Sequence, residues 1–296
     1  MEGLVSIIIP VHNRQDYIIE TLESIQSQTY RKIEVLLVDD HSTDNSQIII
    51  KEFIGKNSDE IHYRLLNSDG YGSNHARNYG LRNCSGDYVQ FFDDDDIMCS
   101  NYISSRLEYL TKKQLDWVGC DFVHFQGNVN NIICDRGISA IPHNIVSHIY
   151  HLGLPTQCFL ITRKAADIIG YWDEKVKRMQ DMAYFHRLYL NNLKGEWLTE
   201  HLFKYRIHNN SITNNQKADT RIEAFKVIGK EWKERGRYDE VKDVLAICIC
   251  RFWCGSFHED KTLFLKLFIE NYWTIIRALY VKVVLLKTDK NLRNKI

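Results

Sequence analysis

Gly86-Asp-Tyr-Val-Gln-Phe-Phe-Asp-Asp-Asp-Asp96 is a short apolar run that ends in four consecutive aspartates. Tyr88 to Phe92 has the length and aromatic content of a strand buried on both faces. The acids that follow repel one another and suit no strand, so the strand ends there and delivers them at its carboxyl end. Working outward, Leu4 to Ile9 is a similar run ending in Pro10, and Ile33 to Val38 is another ending in Asp39-Asp40. Between them Asn13 is placed to cap a helix that carries Ile18, Leu22 and Ile25 on one face. Ser42 or Thr43 opens a second helix with Ile48, Ile49 and Phe53. A third strand is expected over Ile61 to Leu66, followed by a short helix from about Asn74 to Arg82. This β-α-β-α-β-α-β alternation predicts an α/β fold, a doubly wound, mostly parallel, Rossmann-like sheet with right-handed crossovers. Ligands bind such sheets beyond the carboxyl ends of the strands, where Pro10, Asp40 and the four-aspartate cluster stand.

Past the cluster, a fifth strand is expected from Asp116 to Phe125, and 155–205 mixes strands with a helix around Met182 to Leu190. Beyond Asn214 the periodicity is helical, with Ala224, Val227, Ile228 and Trp232 on one face. The expected organisation is a catalytic domain over 1–213, with a nucleotide-binding half (1–98) and an acceptor half (99–213), and a C-terminal helical extension over 214–296.

Formal net charge is zero, 38 basic against 38 acidic residues, so nothing global steers the chain to nucleic acid. The eight cysteines stand mostly in apolar stretches without a C-x-x-C pair, which reads as reduced core thiols in a cytoplasmic protein. The C-x-C-x-x-x-C run at Cys248, Cys250 and Cys254 has no matching metal-ligand spacing. The N-terminus lacks the pattern of a signal peptide, and no apolar run approaches the roughly 18 residues of a membrane span. Between Lys261 and Ile296, eight basic residues face Glu270 and Asp289, interleaved with apolar residues near helical spacing. That pattern suits a basic amphipathic helix on an anionic membrane surface, or a helix packed on the catalytic domain or on another subunit of a homo-oligomer.

Oxygen ligands at the aspartate cluster select a hard cation, Mg²⁺ or Mn²⁺, that completes its shell with substrate phosphate and water. The bland alternative is an acidic turn capping a helix that begins near Ser100. Four segments then align in order and spacing with a known pattern. They are Val5-Ser-Ile-Ile-Ile-Pro-Val-His-Asn-Arg14, Ile33-Glu-Val-Leu-Leu-Val-Asp-Asp-His-Ser-Thr-Asp44, Gly72-Ser-Asn-His-Ala-Arg-Asn-Tyr-Gly80 and Gly86 to Asp96. Together they resemble glycosyltransferase family 2 with the GT-A fold.

The resemblance implies that Pro10 and the loop after it, with Val11, Asn13 and Arg14, line a nucleotide pocket. It implies that Asp40, with Asp39 beside it, contacts a uracil-type base, and that Arg77 lies near the nucleotide. Asp93 and Asp95 take the D-x-D places, binding ribose and metal, with Asp95 the direct ligand and Asp94 in the variable middle place. Gly170-Tyr-Trp-Asp-Glu174 and Gln180-Asp181 resemble later family elements, in which Asp181 is the base of an inverting transfer; Gln180 departs from the usual Glu. Tyr205-Arg-Ile-His-Asn-Asn-Ser211 resembles a further element that puts His208 on metal or diphosphate, supported by Arg206 and Ser211. Family topology sets Thr156 and Gln157 near an acceptor cleft. Trp172 either offers a flat face to a sugar ring or belongs to the core.

The function implied is inverting transfer of a sugar from a UDP-sugar donor to a glycan or lipid-linked glycan hydroxyl, in bacterial surface polysaccharide assembly. Two alternatives remain: a sugar-phosphate nucleotidyltransferase, although Pro10-Val-His-Asn-Arg14 lacks a Gly-rich phosphate loop, and a nucleotide-sugar binding module without chemistry, against which the retained Asp181 argues.

Overall fold

A computed structural model describes residues 3–57, 61–136, 145–150, 154–208, 218–259, 269 and 271–281. The chain divides into two compact units, one of Met1–Ser139, Pro155–Glu174 and Asn191–Asn209, the other of Ala140–Leu154, Lys175–Leu190 and Asn210–Ile296. The division is interleaved instead of falling once near 213. The reason is that Met182 and Leu190 pack among apolar residues from helices much later in the chain.

In the first unit β1 (Val5–Val11), β2 (Ile33–Asp39), β3 (His62–Asn67) and β4 (Tyr88–Phe91) run parallel in the order β3-β2-β1-β4. Helices α1 (Ile18–Gln26), α2 (Ser46–Lys56) and α3 (Ser73–Asn83) connect them. Beyond β4 the sheet becomes mixed. After β5 (Ile97–Met98), α4 (Tyr102–Lys113), β6 (Trp117–Phe125) and β7 (Ile132–Arg136) come a 3₁₀ turn at Thr156–Cys158, β8 (Phe159–Thr162) and β9 (Gly195–Arg206). β8 lies antiparallel between β4 and β6, β9 runs parallel to β6, and β5 and β7 pair antiparallel with β9 and β6. Every residue of β1 and β2 is buried, which is why these strands read as mostly apolar runs, with Ser6 and Glu34 buried against each other at 2.5 Å.

β1 continues two residues past the expected end at Ile9. Its even residues bond toward β4, as the Phe92 N–H donating to the Ile8 carbonyl shows, and its odd residues toward β2. The β1–β4 pairing stops at Ile8 and Phe91, so Pro10, which has no N–H, costs the ladder nothing. Asn13 does not cap α1, which begins only at Ile18; it sits at φ 52°, a left-handed conformation that Asn tolerates, and its Oδ1 accepts from the Thr43 N–H at 2.8 Å. α2 likewise starts at Ser46, later than Ser42 or Thr43. Ile48 therefore points outward, 56 % exposed, while Ile50 and Phe53 face in.

β6 and β9 are joined by reciprocal glycine–tryptophan pairs. Trp117 stands opposite Gly195 and Gly119 opposite Trp197, each indole covering the facing glycine. A Cβ on Gly195 would come within 1.8 Å of Trp117, and one on Gly119 within 2.0 Å of Trp197. Both indoles are buried, so neither can swing clear. Gly195→Ala is expected to destabilise the protein by about 1–3 kcal/mol through overpacking, lowering the midpoint of thermal unfolding by several degrees. An unchanged midpoint would show that the indole is not held.

The second unit is helical: α5 (Ile145–Tyr150), α7 (Gln180–Leu190), α8 (Ala218–Glu234), α9 (Lys242–Glu259) and α10 (Tyr272–Tyr280), with α6 (Arg163–Ile169) belonging to the first unit. Ala224, Ile228 and Trp232 are buried along α8, and Val244, Leu245 and Cys248 of α9 pack with Ile228 and Trp232. The Trp232 Nε1–H donates to Nδ1 of His186 at 3.1 Å. Burial holds the His186 pKa well below its usual value, keeping the ring a neutral acceptor. Cys248 is core, Cys250 half-buried and Cys254 exposed, and all eight cysteines are free thiols. Among the described residues no helix is long and apolar enough to cross a membrane.

Candidate active site

The strand order 3-2-1-4 reverses direction between β1 and β4, and at such a switch point the loops leaving the two strands part and open a crevice. The loop after β1 is sewn to the loop after β2. Asn13 N–H donates to Ser42 Oγ (3.0 Å), Arg14 N–H to Ser46 Oγ (2.7 Å) and Gln15 N–H to Asp44 Oδ2 (3.0 Å). His12, which carried no signal in its spacing, is central. Its Nδ1 donates to the Asp40 carbonyl at 2.6 Å and its N–H to Asp94 Oδ2 at 3.2 Å, so it ties all three strand-end loops together.

Asp39 and Asp40 have different surroundings. Both oxygens of Asp40 accept from the Gly72 N–H, at 3.0 and 2.9 Å, fixing the turn into α3. Asp39 is 2 % exposed; its Oδ2 accepts from the Ser42 N–H and from Gln47 Nε2, while its buried Oδ1 has no partner among the described residues. A buried carboxylate oxygen left unpaired is costly, so this acceptor invites a donor from a ligand.

The four aspartates alternate inward and outward. Asp94 and Asp96 are buried, and Asp93 and Asp95 are partly open. Asp94 accepts from Arg14 Nε at 3.0 Å. Asp96 accepts from Gln157 Nε2 at 2.5 Å and from the Arg206 N–H at 2.7 Å. Asp94 and Asp96 are therefore buried against protein donors, which leaves Asp93 and Asp95 as the two acids placed for an ion that takes one or two carboxylates. Burial, with the charge of Asp95, pushes the Asp94 pKa up to about 8, and burial raises Asp96 well above the carboxylate range. Burial opposes the charge on Arg14, but Asp94 and Asp95 more than offset it and hold its pKa above the usual value.

The outward pair has its own contacts. Asp93 Oδ1 accepts from Arg77 Nη2 at 3.0 Å. Asp95 Oδ2 lies 3.0 Å from His208 Nε2 and 3.4 Å from Arg14 Nε. Arg206 braces Asp95, donating through Nε to its carbonyl (2.7 Å) and through Nη2 to Glu20 (2.8 Å). Its guanidinium lies over the rings of Tyr17 and Phe125. A carboxylate and an imidazole at hydrogen-bond distance on an open edge fit a divalent cation that takes few protein ligands. Among the described residues no group of three or more His, Cys, Asp or Glu is arranged to hold an ion alone, so the fit leaves the rest of the shell to phosphate and water.

Arg77 is not a helix-surface arginine. It is buried on α3, stacked 4.7 Å above Trp172, with its fork on Asp93 and Asn74. Trp172 is core, 2 % exposed and edge-on to Phe91, so it presents no face to a sugar. Asn78 clasps its backbone on both sides, donating to the Trp172 carbonyl and accepting from its N–H. Thr156 and Gln157 are also buried, and Gln157 braces Asp96 from inside instead of lining an acceptor cleft. Asp181 and Gln180 stand in the first turn of α7, on the helical unit; Asp181 Oδ1 accepts from the Met182 N–H at 2.9 Å. Asp181 thus lies inside the helix and is not its cap. Ser211 lies outside the described residues.

The model of glycosyl transferase family 2 matches residues 6–167. The minor teichoic acid biosynthesis protein GgaB of Bacillus subtilis is 29 % identical over 225 residues, which are 72 % of this chain and 24 % of that protein. Glycosyltransferase GlyG of Streptococcus pneumoniae is 28 % identical over 235 residues, 73 % of this chain and 75 % of GlyG. The chain thus spans about a quarter of one of these curated relatives and three quarters of the other. The crystal structure of S. aureus TarS 1–349 in complex with UDP-GlcNAc superposes with a TM-score of 0.66 at 22 % identity, over 93 % of this chain and 79 % of that one. That likeness shows the GT-A type of fold.

Proposed function

Because the chain belongs to glycosyl transferase family 2, we propose that it moves a sugar from a UDP-type nucleotide sugar to an acceptor hydroxyl, with inversion, in the assembly of a bacterial surface polysaccharide. The observation that carries the reading is that the carboxyl ends of the neighbouring strands β2, β1 and β4 carry an unpaired buried acceptor on Asp39 and the partly open Asp93, Asp95 and His208 edge. The N3–H of a uracil is the donor that Asp39 Oδ1 lacks. Asp40 keeps the loop at Gly72 in place, and Pro10, Val11, Asn13 and Arg14 form the floor beside it. Asp93, held by Arg77, faces the ribose side, and Asp94 keeps Arg14 aligned.

Asp95 and His208 would hold Mn²⁺ or Mg²⁺, which when bound neutralises the departing diphosphate. Asp181 takes the proton of the acceptor hydroxyl as its oxygen bonds to the anomeric carbon and the bond from that carbon to the diphosphate oxygen breaks. A single displacement of this kind inverts the anomeric centre. The acceptor is a glycan or lipid-linked glycan, the relative GgaB being a teichoic acid biosynthesis protein. Eight free thiols support a cytoplasmic setting.

A thermal-shift series with UDP, GDP and UDP-sugars, with and without Mn²⁺, tests the assignment. Uridine nucleotides plus Mn²⁺ should raise the midpoint by several degrees, because a ligand at a hundred times its Kd adds about 2.7 kcal/mol to the native state. Equal shifts from guanine nucleotides, or none from any, would end the proposal for the donor.

A further inference from the structure

α10 has two apolar sides. Asn271, Ile275 and Ala278 face inward and are buried, as expected of a helix packed along α9. On the other side Tyr272, Trp273, Ile276 and Leu279 are exposed, at 42, 79, 41 and 45 %, with Ile269 just before the helix exposed as well. At 100° per residue the four helical positions fall in one stripe about 120° wide. An uninterrupted apolar stripe led by a tryptophan marks a surface that meets something other than water.

We infer that this face of α10 is a docking surface for an anionic lipid bilayer. Charge argues for the occupant. The sequence from Lys282 to Ile296 adds Lys282, Lys287, Lys290, Arg293 and Lys295 against the single acid Asp289. Asp243 pairs with Arg277 Nη2 at 2.6 Å, and Glu270 is the one further acid from Ile269 to Ile296 besides Asp289. Basic residues that follow an apolar stripe closely in sequence gain from anionic headgroups, whereas a second copy of the chain would bring the same positive charge against them. Trp and Tyr are the side chains that settle at the boundary of headgroup and acyl chain. Among the described residues no helix is long and apolar enough to cross a membrane, and a stripe with a buried opposite face suits a helix lying along the surface. The inference does not depend on the donor or on the proposed sugar chemistry.

The test is co-sedimentation of the full chain with vesicles, either of pure phosphatidylcholine or with about one third phosphatidylglycerol. The chain should partition about tenfold more onto the anionic vesicles, and lose that preference in high salt. Trp273→Glu combined with Ile276→Glu should remove the binding by about tenfold or more and leave the melting midpoint unchanged, because both side chains are exposed. Failure of the natural chain to bind, or equal binding by the double variant, overturns the proposal. So does a dimer, seen by analytical ultracentrifugation, that the double variant dissolves while neither form binds vesicles. A double variant that melts lower with no vesicle binding by either form would assign the stripe to another part of this chain.

Discussion

Asp95→Asn is expected to lower kcat by about a thousandfold, and to abolish the Mn²⁺-dependent part of the thermal shift produced by UDP. The carboxylate lies on the open edge of the cluster beside His208, and its amide isostere keeps the size and a hydrogen-bond acceptor for the imidazole. The fold should therefore survive, with the melting midpoint of the ligand-free protein little changed. What is lost is the negative charge that, with His208, would hold the cation. If the variant turned over normally and still showed a metal-dependent shift, Asp95 would not be the ligand and the cluster would need a different chemistry.

Asp181→Asn should cost turnover on a similar scale, about a hundredfold to ten-thousandfold, the usual worth of a positioned general base. Its signature differs from that of Asp95→Asn. The donor should bind with unchanged affinity and the Mn²⁺-dependent shift should remain, because only the proton acceptor for the incoming hydroxyl has gone. The structural penalty is small: an acid in the first turn of a helix contributes roughly 0.3–1 kcal/mol through the helix dipole. A variant that lost donor affinity in step with kcat would make Asp181 a binding residue and remove it as the base. Measuring kcat and nucleotide affinity side by side on the two variants separates charge at the diphosphate from proton transfer at the acceptor.

The parallel half of the sheet was legible in the sequence because it is built from local patterns. A strand covered on both faces is apolar over most of its length, and β1, β2 and β4 announce themselves in that way. The positions of Asp39-Asp40 and of the four aspartates at strand ends followed from the same runs. Less legible were the helix starts. Asn13 and Ser42 have the chemistry of caps, but each is spent on the opposite loop, on a partner about thirty residues away. Inward and outward turns within Asp93 to Asp96 were also hidden, since all four residues are chemically identical and only their partners differ. His12 carried no signal of its own; its role comes from the carbonyl of Asp40 and the carboxylate of Asp94 that the fold brings to it.

From its sequence alone this protein is determined to be a wound α/β chain with acids at one rim, because hydrophobic period and turn chemistry act over a few neighbouring residues. The tertiary structure alone decided which acids are buried and which stay partly exposed, and that Trp172 and Gln157 are interior. It also decided that Lys175–Leu190 joins the helical unit. Those outcomes depend on donors, acceptors and apolar surfaces that meet across about 30 to 110 positions of chain, where no local pattern records the pairing and only the closed fold sets the distance.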